Sequence, residues 1–174
     1  MKLSLGPRKA AHAALYLALA ITLPVIFHQF GIAGRVFLPM HIPVLICGFV
    51  VGSLAGVLVG LSAPPLSHLL TGMPPLYAVP LMIMELSLYG LIAGLAYKQL
   101  GLNIYIALLI AMIFGRLAFA LGLLILGQFQ GINLPYGPMQ FLTGGIIVAG
   151  LPGIILQLVI IPPIVAAIRR MAKF

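Results

Sequence analysis

Two residues of opposite charge stand inside apolar runs: Glu85, within Met84-Glu-Leu-Ser-Leu-Tyr-Gly90, and Arg116, directly after Gly115. Glu85 is the sole acidic residue of the chain. A charge at the centre of a bilayer costs at least about 2.5–3.5 kcal/mol even on the lenient insertion scale, so each must face the protein interior, a partner or water. Two chemistries suit them. An ion pair would lock two helices together; a pair with one open side would also contact a polar ligand. Tyr89 follows Glu85 by one helical turn and shares its face, adding a ring and a hydroxyl.

Other reactive side chains carry less. His41 and His68 are expected near one face of the membrane, but two histidines without a nearby carboxylate or thiolate make a poor metal site, and none is expected. Hydrogen bonding within loops suits them better. His12 reads as a packing or interfacial residue, and His28 as interfacial or ligand-facing. Ser62, Ser67 and His68 lie close in sequence and raise the question of an intramembrane hydrolase. A serine nucleophile needs a base aimed at it and donors for the oxyanion. Neighbours such as Ser67 and His68 diverge on a helix, and no Gly-x-Ser-x-Gly segment is present. No enzyme is expected. The single Cys47 allows no internal disulfide, and no Cys/His cluster has metal-site spacing.

The elements that position these groups follow from composition. The 174 residues are 63% apolar and 6% charged, where a soluble domain carries charge on roughly 25%. The chain is a membrane protein, and its formal charge of +8 reads as topology and not as a nucleic-acid surface. A helix crosses the hydrocarbon core in roughly 20 residues. Gly, Pro and polar punctuation then divides residues 1–174, a single domain, into six spans near 9–30, 37–52, 53–71, 77–98, 103–127 and 141–168. The second is short and carries Pro39 and Pro43 in its first turns, which suits a short helix or a re-entrant segment. The apolar stretch after Lys9 is too long for a secretory signal core, so the first span is expected to stay in the membrane. Glu85 then lies about 12 Å below the Tyr77 end of its helix, and Arg116 about 16 Å below the Gly127 end of the next. At those depths the two side chains can meet.

Lys2, Arg8, Lys9, Lys98, Arg169, Arg170 and Lys173 fall on one side of a six-span bundle, against Arg35 on the other. Loops rich in Lys and Arg stay cytoplasmic, so both termini are expected inside. The outer side gathers His28, Gln29, Arg35, His41, the stretch from Ser67 to Tyr77 and the segment from Gln128 to Gln140, as an outer cavity capped by ordered loops would require. Pro64 and Pro65 suggest a helix that breaks there and passes into a loop by Pro75. Ala10, Ala14 and Ala18 recur every four residues and form a smooth stripe, for packing inside the bundle or against another helix. Gly48, Gly52, Gly56 and Gly60 form a second series, read as tight internal packing.

With these residues in view, the chain resembles the substrate-binding S components of energy-coupling factor (ECF) vitamin transporters. The likeness is sharpest at Phe37-Leu-Pro-Met-His-Ile-Pro-Val44, Pro65-Leu-Ser-His-Leu-Leu-Thr-Gly-Met-Pro-Pro75, the Glu85 segment and Gly115-Arg116. Ala14-Leu-Tyr-Leu-Ala18 is similar to the family's first-helix alanine motif, which docks on a transmembrane coupling subunit. The resemblance implies an all-α integral membrane protein that binds one small water-soluble vitamin or precursor in an outward-facing pocket of a prokaryotic plasma membrane. It implies that His41 lies near a first gate and that Thr71 to Tyr77, with Gly72, Met73, Pro74 and Pro75, form a second, with His41, Thr71 and Tyr77 also binding the ligand. Glu85, Tyr89 and Arg116 would line the pocket, with Asn133, Tyr136 and Gln140 adding polar contacts. The alanine stripe, Ala10 included, would contact the coupling subunit.

The chain has no Gly-rich nucleotide loop followed by Lys and Ser or Thr, so ATP hydrolysis would fall to two partner subunits, and no cofactor is expected. Nickel and cobalt S components use an N-terminal Met-His, where this chain starts Met-Lys. A guanidinium suits a ligand carboxylate such as that of pantothenate, whereas Glu85 suits a ring nitrogen or amine, as in pyridoxine or hydroxymethylpyrimidine. Both ligand types stay open, as does a purely structural membrane scaffold, which would leave Glu85 and Arg116 without a task.

Overall fold

The computed structural model describes residues 5–28, 38–126 and 151–172, all helices and short connections. The helices are α1 (Pro7–His28), α2 (His41–Val50), α3 (Ser53–Thr71), α4 (Val79–Gly94), α5 (Ile104–Leu126) and α6 (Leu151–Ala172). A 3-10 turn, Leu76–Ala78, leads into α4, and a π-helical turn, Leu95–Gln99, follows it. Five of these units are long and apolar enough to cross a membrane, and α2 is the short exception. Large side chains such as Leu15, Ile26, Ile113, Leu117, Leu121 and Val159 are exposed, as lipid in place of water allows.

At 10 residues, α2 is about 15 Å long, half the thickness of the hydrocarbon core. All ten of its residues are buried, because α1, α3, α4 and α6 surround it. A helix apolar on every side suits a core or a lipid-spanning position, and α2 is too short to span. It is therefore a short helix within the bundle, replacing the wider 37–52 span of the sequence reading. Leu38, with φ 49°, turns the chain immediately before it, and the His41 amide donates to the Leu38 carbonyl at 3.0 Å. At its other end Lys98 Nζ donates to the carbonyls of Val50 at 2.9 Å and Val51 at 3.3 Å, satisfying acceptors that a helix C-terminus leaves open.

The most extensive contacts join α4 to α3 and to α5. Glycines permit the first of these and the approach of α2 to α4. A Cβ on Gly90 would strike the backbone of Gly56, one on Gly60 would meet the Leu86 carbonyl carbon at 2.5 Å, and one on Gly48 the Gly90 oxygen at 2.6 Å. The expected packing series thus holds at Gly48, Gly56 and Gly60. Gly52 differs: it has φ 128° and no neighbour within 4 Å, because it makes the turn between α2 and α3.

Two further expectations are corrected. The helix does not break at Pro64 and Pro65; α3 continues through both to Thr71 and ends on Gly72, whose φ of 73° is the left-handed geometry of a helix C-cap. Two adjacent prolines remove two backbone donors, yet each has the φ a helix needs. The last helix also runs past the expected end at 168, to Ala172.

Lys9, Lys98 and Arg169 gather at one end. Lys9 and Lys98 line the same cleft of about 260 Å³, and Arg169 lies 5.0 Å over the Tyr97 ring while donating to its hydroxyl at 2.7 Å. The opposite end carries the α3–α4 connection. Ser67 Oγ donates to the Met73 carbonyl at 2.8 Å, His68 Nδ1 to the Pro74 carbonyl at 2.8 Å and Thr71 Oγ1 to the Ser67 carbonyl at 2.7 Å. These bonds make the stretch from Gly72 to Pro75 an ordered loop.

Candidate functional site

Counting rise per residue from the basic end, His41 stands about 14 Å up α2, Arg116 about 18 Å up α5 and Glu85 about 21 Å above Gln99. Their side chains meet. Arg116 Nη1 is 3.1 Å from Glu85 Oε1, and the Tyr89 hydroxyl donates to that same oxygen at 3.1 Å. His41 Nε2 lies 3.3 Å from Glu85 Oε2, at ion-pair distance but outside hydrogen-bond alignment. The His41 and Tyr89 rings meet edge to face, centroids 5.4 Å apart.

Each helix contributes one condition. The i to i+4 spacing sets the Tyr89 hydroxyl over the Glu85 carboxylate. Gly115 gives the Tyr89 ring its place, since a Cβ there would run into ring carbons Cδ1 and Cε1. The short α2 puts its first residue, His41, at mid-bundle, so the carboxylate lies beside a helix N-terminus, where the dipole favours negative charge. His41 therefore sits deep in the bundle, not near the outer face as its sequence position suggested. At 2% exposed it is buried with Glu85, Tyr89 and Arg116 in one polar cluster.

The remaining predicted residues are spread out. Thr71 is exposed and bonded within its own loop. Tyr77 is half-buried in the 3-10 turn, about 12 Å of helical rise from Glu85. Asn133, Tyr136 and Gln140 lie outside the described residues. Ser67 and His68 each hold the Gly72–Pro75 loop through separate carbonyls, an arrangement of structural bonds and not of a nucleophile with its base. Among the described residues, no group of three or more His, Cys, Asp or Glu is placed to hold a metal. Ala10, Ala14 and Ala18 are exposed on α1, whose buried face is Ala13, Tyr16 and Ala20. The stripe therefore faces out of the bundle.

One residue was missed. Gln157 on α6 is 1% exposed, with neither side-chain amide atom bonded. It lies twelve residues before Arg169, about 18 Å above the basic end and thus at the level of His41 and Arg116. Its helix packs against α2 and α5, which carry those two residues. A glutamine in an apolar run signals such a position, although the run gives it no partner.

Among the described residues, a charged and polar cluster lies midway along a bundle of five long apolar helices and one short one, the architecture of an integral membrane protein. The family profile described as "ECF transporter, substrate-specific component" matches residues 8–165, and the chain belongs to that family. It is thus a membrane-embedded substrate-binding component of a transporter, from a family of binding components that works with coupling and ATPase subunits. No curated protein and no solved structure matches the chain.

Proposed function

We propose that the chain captures a small water-soluble vitamin or vitamin precursor, pantothenate or a pyridoxine- or hydroxymethylpyrimidine-like molecule, from outside a prokaryotic cell. His41, Glu85, Tyr89 and Arg116 contact it, with Asn133, Tyr136 and Gln140 as further contacts. Thr71, Tyr77 and the Gly72–Pro75 loop close the site. The carrying observation is that Glu85 and Arg116 pair at mid-bundle while Arg116 Nε and Nη2 and His41 Nδ1 keep no partner. A pair serving only to lock helices has no use for such loose ends, since each buried unsatisfied group costs about 1–3 kcal/mol.

In this reading the exposed Ala10, Ala14 and Ala18 dock on the transmembrane coupling subunit, two ATPases drive transport, and both termini face the cytoplasm. Purification in mild detergent, with mass spectrometry of the released small molecules, tests it. A vitamin at near one-to-one stoichiometry is expected; a preparation that neither carries nor binds any vitamin would refute the reading.

A further inference from the structure

The geometry points to a ligand that carries a carboxylate, seated on the open edge of Arg116, with His41 and Gln157 receiving its uncharged polar groups. This rests on the ligand-contact reading above and decides between the ligand types it allows.

The guanidinium has a fixed fork geometry. Nη1 is used by Glu85; Nε and Nη2 are buried and unpartnered. The N–H bonds of Nε and Nη2 on that edge run parallel, the arrangement that takes both oxygens of a carboxylate. Arg116 is also the most open member of the cluster, its side chain 17% exposed against 2% for Glu85 and for His41. Its Nε and Nη2 are themselves buried, so a carboxylate seated on that edge would meet two desolvated, unpartnered donors.

A cationic ligand fits worse. Glu85 Oε1 already takes the Tyr89 hydroxyl and faces Arg116 Nη1, and Oε2 faces His41. An amine entering here would compete with Arg116 for the carboxylate and lie against a like charge in low dielectric. A carboxylate on the Nε and Nη2 edge instead completes Arg116 and leaves the Glu85 contacts intact, with the guanidinium between the two negative charges.

The two other loose groups suit neutral polar chemistry. His41 Nδ1 is buried and unpartnered, and an imidazole nitrogen there can exchange a hydrogen bond with a hydroxyl or amide. The Gln157 amide, on a helix packed against those of His41 and Arg116, offers one acceptor and two donors. The ligand class is an organic acid that also carries hydroxyl or amide groups.

The test titrates the purified protein with matched pairs that differ only at the carboxyl: pantothenate with panthenol, nicotinate with nicotinamide, biotin with its primary amide. Pyridoxine and thiamine serve as carboxylate-free probes, and any co-purified acid is added with its own amide. At least one acid is expected to bind about tenfold or more tighter than its neutral partner. That preference should shrink to within about twofold in Arg116→Gln/Glu85→Gln, and should fall in Arg116→Lys, which keeps the charge but loses the fork. Equal binding within every pair, a preference that survives both variants, or a best ligand without a carboxylate overturns the inference while leaving vitamin binding in place. Binding of no probe, with no co-purified molecule, overturns both.

Discussion

The Arg116 guanidinium and the Tyr89 hydroxyl converge on a single oxygen, Oε1 of Glu85, each at 3.1 Å. The acid is thus held from two helices, α4 and α5, and a change at either neighbour reaches the other through it.

Arg116→Met should destabilise the protein by about 3–5 kcal/mol, the scale for stranding one member of a buried pair. Adding Glu85→Gln should recover much of that loss, because a neutral pair needs no counter-charge. Vitamin affinity should stay low in the double variant, by about 2 kcal/mol or more. Thermal unfolding and ligand titration on the three variants measure both effects. A stable double variant that binds like the parent removes Glu85 and Arg116 from the site.

Ser67→Ala and His68→Ala each remove one bond to the Gly72–Pro75 loop, worth about 1 kcal/mol apiece. If that loop closes the site, ligand dissociation should quicken several-fold in each while the bundle stays folded. Stopped-flow release would show it; unchanged off-rates would make the loop a spectator.

Gly90→Ala should cost about 1–3 kcal/mol, the usual range for overpacking, since its Cβ would meet the Gly56 backbone. Gly6→Ala, with open space around it, should change the melting temperature little. The two melts, read side by side in detergent, check whether α3 and α4 are in backbone contact.

Ala14→Leu or Ala18→Leu adds bulk to a face that the bundle leaves exposed. Ligand affinity of the solitary protein should stay within about twofold, while co-purification with the coupling subunit weakens and uptake stops. Normal assembly would detach the stripe from coupling.

Sidedness can be read chemically. In a Cys47→Ala background, Leu76→Cys at the loop end should react with an impermeant thiol reagent added to intact cells, and Leu100→Cys at the basic end should not. Both positions are largely exposed, at 70% and 71%, so access to the reagent decides the result. The reverse pattern would invert the proposed orientation.

Much of the bundle was legible because hydrophobic length and turn punctuation are local properties. The Glu85–Arg116 meeting was legible too, since rise per residue fixes depth on two long helices. His41 was not, because its depth depends on how far α2 extends, and Pro39 and Pro43 leave several starts open. Gln157 was overlooked for a related reason: an amide in an apolar run shows its burial only when neighbouring helices are placed. Gly52 was misread by carrying a helical repeat across a turn, and Pro64 and Pro65 by giving proline more breaking power than a packed membrane helix allows.

The shortness of α2 has an electrical consequence. It places His41 about 14 Å of helical rise from the basic end, so in a hydrocarbon layer about 30 Å thick a charged solute reaching Arg116 would traverse up to half of the transmembrane voltage. At about 2.3 kcal/mol per charge per 100 mV, that is up to about 1.2 kcal/mol. In the proposed orientation, with the loop end outward and the cell interior negative, an anionic ligand would bind against this field, its affinity lower by up to about sevenfold at 100 mV. Capture by this subunit would then be tightest in a de-energised membrane and would loosen as the membrane potential rises.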